Sequence, residues 1–207
     1  MKVKVCGIND LDAMANLEKI GSIDFLGFIF YEESKRFVKI TLPKVKVKNR
    51  VGVFVNETES FIKEKIKQYD LDFVQLHGNE SPEFCRRIKK NIPVIKAFGV
   101  DSNFAFSILN QFVDAVDYFL FDTKTEIHGG SGLKFNWNLL ANYTLTTPFF
   151  LSGGISPNDV SDIKKLSHPA FYGLDLNSGF ELEPGIKDVE KVNTFIKKYY
   201  ENSISSR

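Results

Sequence analysis

The stretch from Lys2 to Phe30, KVKVCGINDLDAMANLEKIGSIDFLGFIF, changes its periodicity twice. Lys2 to Cys6 alternates lysine with valine and then stops at a thiol and a glycine, the pattern of a strand. Leu11, Met14, Leu17 and Ile20 then recur at intervals of three and share a helix face, with Asn9 or Asp10 ahead of them as a cap. Asp24 to Phe30 is a continuous apolar run of strand length. Strand, helix, strand is the repeating unit of a parallel sheet.

The alternation continues outward from this unit. Runs rich in Val, Ile, Phe and Tyr stand at Arg50–Val55, Asp72–His77, Pro93–Val100, Asp117–Asp122, Pro148–Gly153 and Ala170–Leu176, which makes eight strand candidates with the first two. Ser81-Pro82 reads as a helix start, Ser156-Pro157 repeats that device, and Ile186–Tyr200 supplies a last helix. The connections after the second and fifth strands have poor helical patterns and read as short or irregular. Eight strands with helices between them in 207 residues leave little room for anything else. The expected fold is α/β, a single parallel (β/α)8 TIM barrel over residues 1–207, with a frayed tail after about residue 200.

Twenty-seven basic against 26 acidic residues give a net charge of +1, too even a balance to draw nucleic acid or an acidic membrane. KVKVKNR at Lys44 to Arg50 reads as a solvated edge leading into a strand. Two cysteines, Cys6 and Cys85, argue against a disulfide scaffold and for a reducing compartment. The start of the chain lacks an apolar signal core, and no apolar run approaches the roughly 20 residues that span a bilayer. The expectation is a cytoplasmic protein with neither membrane nor nucleic-acid partners. His77, His128 and His168 lack ligand spacing, and no GxGxxG or GxxxxGK[ST] opens a helix, so neither a metal nor a nucleotide is indicated.

In such a barrel the loops beyond the C-terminal strand ends build the active site. Cys6 closes the first strand, His77 the fourth, Asp122 the sixth, Gly153 and Gly154 the seventh, and Asp175 to Gly179 the eighth. The glycine loops after strands seven and eight either bind phosphate on backbone amides or merely turn tightly. Asp122 follows an apolar wall, YFLF, which would raise its pKa and suit a general acid; it could equally cap its loop. Lys4 lies two residues before Cys6 on the same face, where an ammonium would lower the thiol pKa; a lone cysteine is otherwise a small buried hydrophobe. Cys85 reads in that second way.

Taken together and in order, KVCGI, SKRFV, VGVFVN, QLHG, FLFDT, GGSGLKFNW, LSGGISPNDV and GLDLNSGFELEPGIKD resemble the phosphoribosylanthranilate isomerase family, from Lys4 to about Asp188. The resemblance implies an Amadori rearrangement of N-(5-phosphoribosyl)anthranilate in tryptophan biosynthesis. It makes Asp122 the general acid and Cys6 the general base, with no cofactor. It places Arg36 near the anthranilate carboxylate and the phosphate on Gly153, Gly154, Ser178 and Gly179. Lys4, His77 and Asp175 complete the binding set, with Gly129 and Gly130 in a mobile loop over the site. The implied partner is the small phosphorylated substrate, and the implied assembly a monomer or homodimer. Lys35, Asn136 and Asn177 depart from the family's usual Pro, Asp and Ser. The nearest rivals are another ribose-phosphate-barrel isomerase and a non-catalytic phosphate-binding barrel. Indole-glycerol-phosphate synthase would require a catalytic strand lysine, and Lys96 is read as incidental.

Overall fold

Eight short strands carry the architecture, and their apolar alternation explains how they close. The computed structural model describes residues 1–43, 47–124 and 134–201. The strands are β1 (Lys2–Val5), β2 (Phe25–Ile29), β3 (Asn49–Phe54), β4 (Phe73–Leu76), β5 (Val94–Val100), β6 (Tyr118–Thr123), β7 (Phe149–Leu151) and β8 (Phe171–Leu176). They pair in parallel in chain order, and β8 returns to β1 to close the barrel. All eight expected strands are present, with ends displaced by one or two residues.

Alternate residues face the lumen, where Phe25, Val51, Ile95, Ala97, Leu120 and Phe150 form one apolar cluster. The other face of the strands packs against the helices in a larger shell that includes Val3, Phe28, Phe54, Phe119 and Leu174. Each such fully buried side chain contributes about 1.5–3 kcal/mol. One irregularity alters the alternation: Phe149 pairs with Phe171 but Phe150 with Gly173, so β8 carries an extra residue at Tyr172. Tyr172 packs on the lumen cluster, and the shift brings Asp175, opposite Lys4 in register, into the lumen as well.

The helices are α1 (Leu11–Glu18), α2 (Glu59–Tyr69), α3 (Pro82–Lys89), α4 (Val160–Lys165) and α5 (Val189–Glu201). Asp10, Thr58 and Ser81 accept hydrogen bonds from the backbone N–H groups of Ala13, Phe61 and Phe84, and Pro82 occupies the first turn of α3. Three-ten segments, Phe106–Phe112 and Trp137–Asn142, take the helix positions after β5 and β6. No helix appears between β2 and β3 among the described residues.

Two expectations need correction. Ser156-Pro157 does not start α4, because the Asp159 carboxylate takes up both the Ser156 N–H (2.6 Å) and its hydroxyl (2.8 Å), closing a turn ahead of the helix. The segment before α5 holds an antiparallel hairpin, β9 (Glu181–Glu183) with β10 (Ile186–Lys187), turned at Gly185 with φ 93°. The tail after Glu201, and Lys44 at the start of the basic run, lie outside the described residues.

Candidate active site

Because all eight strands run the same way, the residues that close them share one rim. Cys6 follows β1, His77 follows β4, Asp122 is the penultimate residue of β6, Gly153 lies two beyond β7, and Asp175 is the penultimate residue of β8. Cys6 and Asp122 therefore stand at the same mouth of the barrel, on strands that are not neighbours.

Cys6 is 3 % exposed and donates its backbone N–H to Leu176 O at 2.9 Å. Its Sγ lies across Gly27 of β2: a methyl group there would come within 2.7 Å of the sulfur. Lys4 is fully buried below it, with Nζ 2.8 Å from Asp175 Oδ1. Burial opposes the Lys4 ammonium, but Asp175 and Cys6 outweigh it and hold its pKa above the ordinary lysine value. The thiol behaves otherwise than expected. Burial pushes the Cys6 pKa up, and the opposing pull of Lys4 does not overcome it. Burial is the larger effect, and the nearby Asp175 carboxylate adds to it.

Asp122 has a polar contact at each carboxylate oxygen. Its Oδ1 accepts the Thr123 N–H at 2.7 Å, and its Oδ2 is 3.4 Å from Nε2 of His77. On the other side of that imidazole, Nδ1 is 2.9 Å from Nε2 of Gln75. Asp175 lies within electrostatic reach of Asp122, His77 and Lys4, so the two halves of the rim belong to one charged assembly. Gly153 keeps a left-handed φ of 85° beside Asp122; a side chain there would meet Thr123 N at 2.5 Å and Asp122 Oδ1 at 2.9 Å.

Arg36 is 9 % exposed and engaged by Glu181 through both its Nε and Nη2. Glu181 also takes Lys187 Nζ at 2.6 Å and the Gly185 N–H at 3.1 Å, and Lys187 reaches Asn177 Oδ1 at 2.8 Å. Lys35 is exposed beside this network and takes no part in it. Asn177, departing from the family's serine, gains a role as the second acceptor for Lys187.

The glycine loops meet: a side chain on Gly179 would fall 2.2 Å from Ile155 O. The backbone N–H groups of Gly153, Gly154, Ser178 and Gly179 donate to no other described residue. Four such amides on two adjoining loops make a concavity suited to an anion. The N-terminus of α4 does not contribute, since α4 begins at Val160, but Ser178 and Gly179 open a short three-ten turn, Ser178–Phe180.

Lys96 plays a structural part. It faces away from the lumen, 2 % exposed, 3.1 Å from Glu80, and it also donates to Gly78 O at 2.8 Å and Ala97 O at 3.0 Å. It therefore ties down the loop that carries His77. Gly129 and Gly130 lie outside the described residues. Sequence reasoning assigned no role to Gln75, Glu181, Lys187 or Gly27. Gln75 had a usable signal, since it shares a strand face with His77 two residues on.

The profile of the N-(5'-phosphoribosyl)anthranilate (PRA) isomerase family matches residues 3–198. The chain belongs to the PRA isomerase family. N-(5'-phosphoribosyl)anthranilate isomerase of Parabacteroides distasonis is 45 % identical over 206 residues, covering 96 % of this chain and 93 % of that one. A solved structure of monomers generated from the dimeric phosphoribosylanthranilate isomerase of Thermotoga maritima is 34 % identical, with TM-score 0.76 over 97 % of this chain and 99 % of that one. A phosphoribosylanthranilate isomerase in complex with reduced 1-(o-carboxyphenylamino)-1-deoxyribulose 5-phosphate is 33 % identical, with TM-score 0.77 over the same shares. PRA isomerase activity follows: an Amadori rearrangement of N-(5-phosphoribosyl)anthranilate to 1-(2-carboxyphenylamino)-1-deoxyribulose 5-phosphate in tryptophan biosynthesis.

Proposed function

We propose that Cys6 and Asp122 carry the two proton transfers of this isomerisation. Asp122 gives its proton to the furanose ring oxygen as the C1′–O bond breaks, and the anilino nitrogen lone pair forms the C1′=N imine cation. The Cys6 thiolate then takes the proton from C2′. The C–H electron pair becomes the C1′=C2′ bond, the imine electrons return to nitrogen, and the resulting enolamine tautomerises to the ketone. The imine is its own electron sink, so two proton-transfer groups are enough, each contributing about 10²–10⁴ in rate.

The observation that carries this reading is the shared rim, with Lys4–Asp175 electrostatically coupled to Cys6 on one side and to Asp122 on the other. Lys4 and Lys187 supply positive charge for the thiolate against the cost of burial. Glu181 occupies the Nε side of Arg36, which leaves its outer edge for the anthranilate carboxylate. The amides of Gly153, Gly154, Ser178 and Gly179 hold the phosphate. His77 lines the sugar beside Asp122.

The same reading has the enzyme working as a monomer or homodimer, in keeping with the dimeric Thermotoga maritima relative. It places the enzyme in the cytoplasm without nucleic-acid partners, in keeping with two free thiols and a net charge of +1. No helix among the described residues is long and apolar enough to cross a membrane. The test follows the fluorescence of phosphoribosylanthranilate with Cys6→Ser and Asp122→Asn. Each variant is expected to lose about two or more orders of magnitude in turnover. Near-normal turnover in either removes that residue from its role.

A further inference from the structure

We propose that Gln75 is a positioning residue: its side-chain amide donates to Nδ1 of His77, which keeps the imidazole proton on Nε2 and aimed at Asp122. Gln75 and His77 lie two residues apart at the end of β4 and face the same way. Gln75 is 1 % exposed, and its Nε2 is 2.9 Å from His77 Nδ1. An amide N–H needs a lone pair, and neutral imidazole offers one at Nδ1 only when its proton sits on Nε2.

The reverse arrangement fits worse at both ends. Turning the amide so that Oε1 accepts from an Nδ1–H would put its nitrogen where Oε1 now lies. That oxygen has no partner among the described residues, so both amide N–H groups would be buried without an acceptor. An under-satisfied carbonyl is the milder defect. Once Asp122 has given up its proton, the reverse tautomer would also turn the Nε2 lone pair toward a carboxylate oxygen 3.4 Å away. The buried amide therefore selects the proton position, and the ionised carboxylate favours the same one.

The consequence rests on Asp122 acting as the general acid. After it gives up its proton, the carboxylate left behind has the Thr123 N–H at Oδ1 and the His77 Nε2–H facing Oδ2. These are fixed donors aimed at charge that develops during reaction. The 3.4 Å separation is long for a hydrogen bond, as catalytic contacts often are before substrate binds.

The first test reads the His77 ring nitrogens by ¹⁵N NMR in the ligand-free protein, well above the ordinary imidazole pKa of about 6.5. The proton is expected on Nε2; a proton on Nδ1 overturns the proposal. The second test uses Gln75→Glu, which offers Nδ1 only an acceptor and should draw the proton there, and Gln75→Met, which removes the amide at similar size. Both should lose about tenfold or more in kcat with KM changed less than about threefold. Wild-type kcat in a folded Gln75→Met protein overturns the proposal, as does an unmoved proton in Gln75→Glu. If Asp122→Asn retains activity while the wild-type proton is found on Nε2, the acid assignment fails and the tautomer assignment stands.

Discussion

Glu181 grips Arg36 along one edge: Nε lies 2.9 and 3.0 Å from the two carboxylate oxygens, and Nη2 lies 2.6 Å from Oε2. These residues are 145 apart in sequence, and the pair fixes the direction in which the guanidinium meets a ligand. Charge-assisted bidentate pairs of this kind are the strong ones. Glu181→Gln keeps the shape and removes the charge. It is expected to raise KM about tenfold with a smaller change in kcat, because a loosened Arg36 binds ground state and transition state alike less well. Steady-state kinetics on phosphoribosylanthranilate decide it; an unchanged KM would mean that Arg36 holds its place without Glu181.

Lys187 shares Glu181 with Arg36. Burial, aided by Arg36, outweighs the pull of Glu181 and brings the Lys187 pKa down to about 8 from 10.5. Between these values the unfolded chain binds a proton that the folded protein does not, so Lys187 makes stability rise with pH through that window. Lys187→Met should flatten the rise. The check is the difference in thermal midpoint between wild type and variant across that range, and parallel curves would contradict the prediction.

Cys6 is a buried thiol whose pKa is raised, so little thiolate is present at neutral pH in the free enzyme. In a Cys85→Ser background, alkylation of Cys6 by iodoacetamide at neutral pH should run more than about tenfold slower than for a free cysteine, whose pKa is about 8.5. The rate should still be climbing above that value. Fast labelling at neutral pH would show an accessible, ready-made thiolate instead.

Gly27 leaves room for the sulfur. A methyl group at this position would lie 2.7 Å from Cys6 Sγ and 3.0 Å from its Cα. The sulfur must move, and a displacement of about 1 Å in a reacting group can cost about 10²-fold in rate. Gly27→Ala is expected to fold, lose kcat by that order and retain most of its substrate affinity. Full activity would show that the thiol tolerates relocation.

The barrel was legible because buried parallel strands write themselves as apolar runs, and eight of these are spaced along the chain. The β9–β10 hairpin was not. Glu181, Leu182 and Glu183 form a strand in which Leu182 is 72 % exposed, so no burial pattern marks it. Its anchor is Arg36, a contact that periodicity does not record. Ser156-Pro157 misled for a related reason: the same letters that start α3 are diverted by Asp159 three residues on. The strand-end rule put Cys6, His77, Asp122 and Asp175 on one rim, and strand spacing put Lys4 beside the thiol. Only the register of β1 against β8 reveals that Lys4 is shared with Asp175.

The extra residue at Tyr172 means that the final strand changes sides partway along its length. Without that step the acidic partner of Lys4 would point outward among the helices, and Leu174 would sit opposite a solitary ammonium. Deleting Tyr172, by contrast, would leave Phe171, Gly173, Leu174 and Asp175 in plain alternation with the carboxylate still facing Lys4, so the pairing should survive the loss of this one codon.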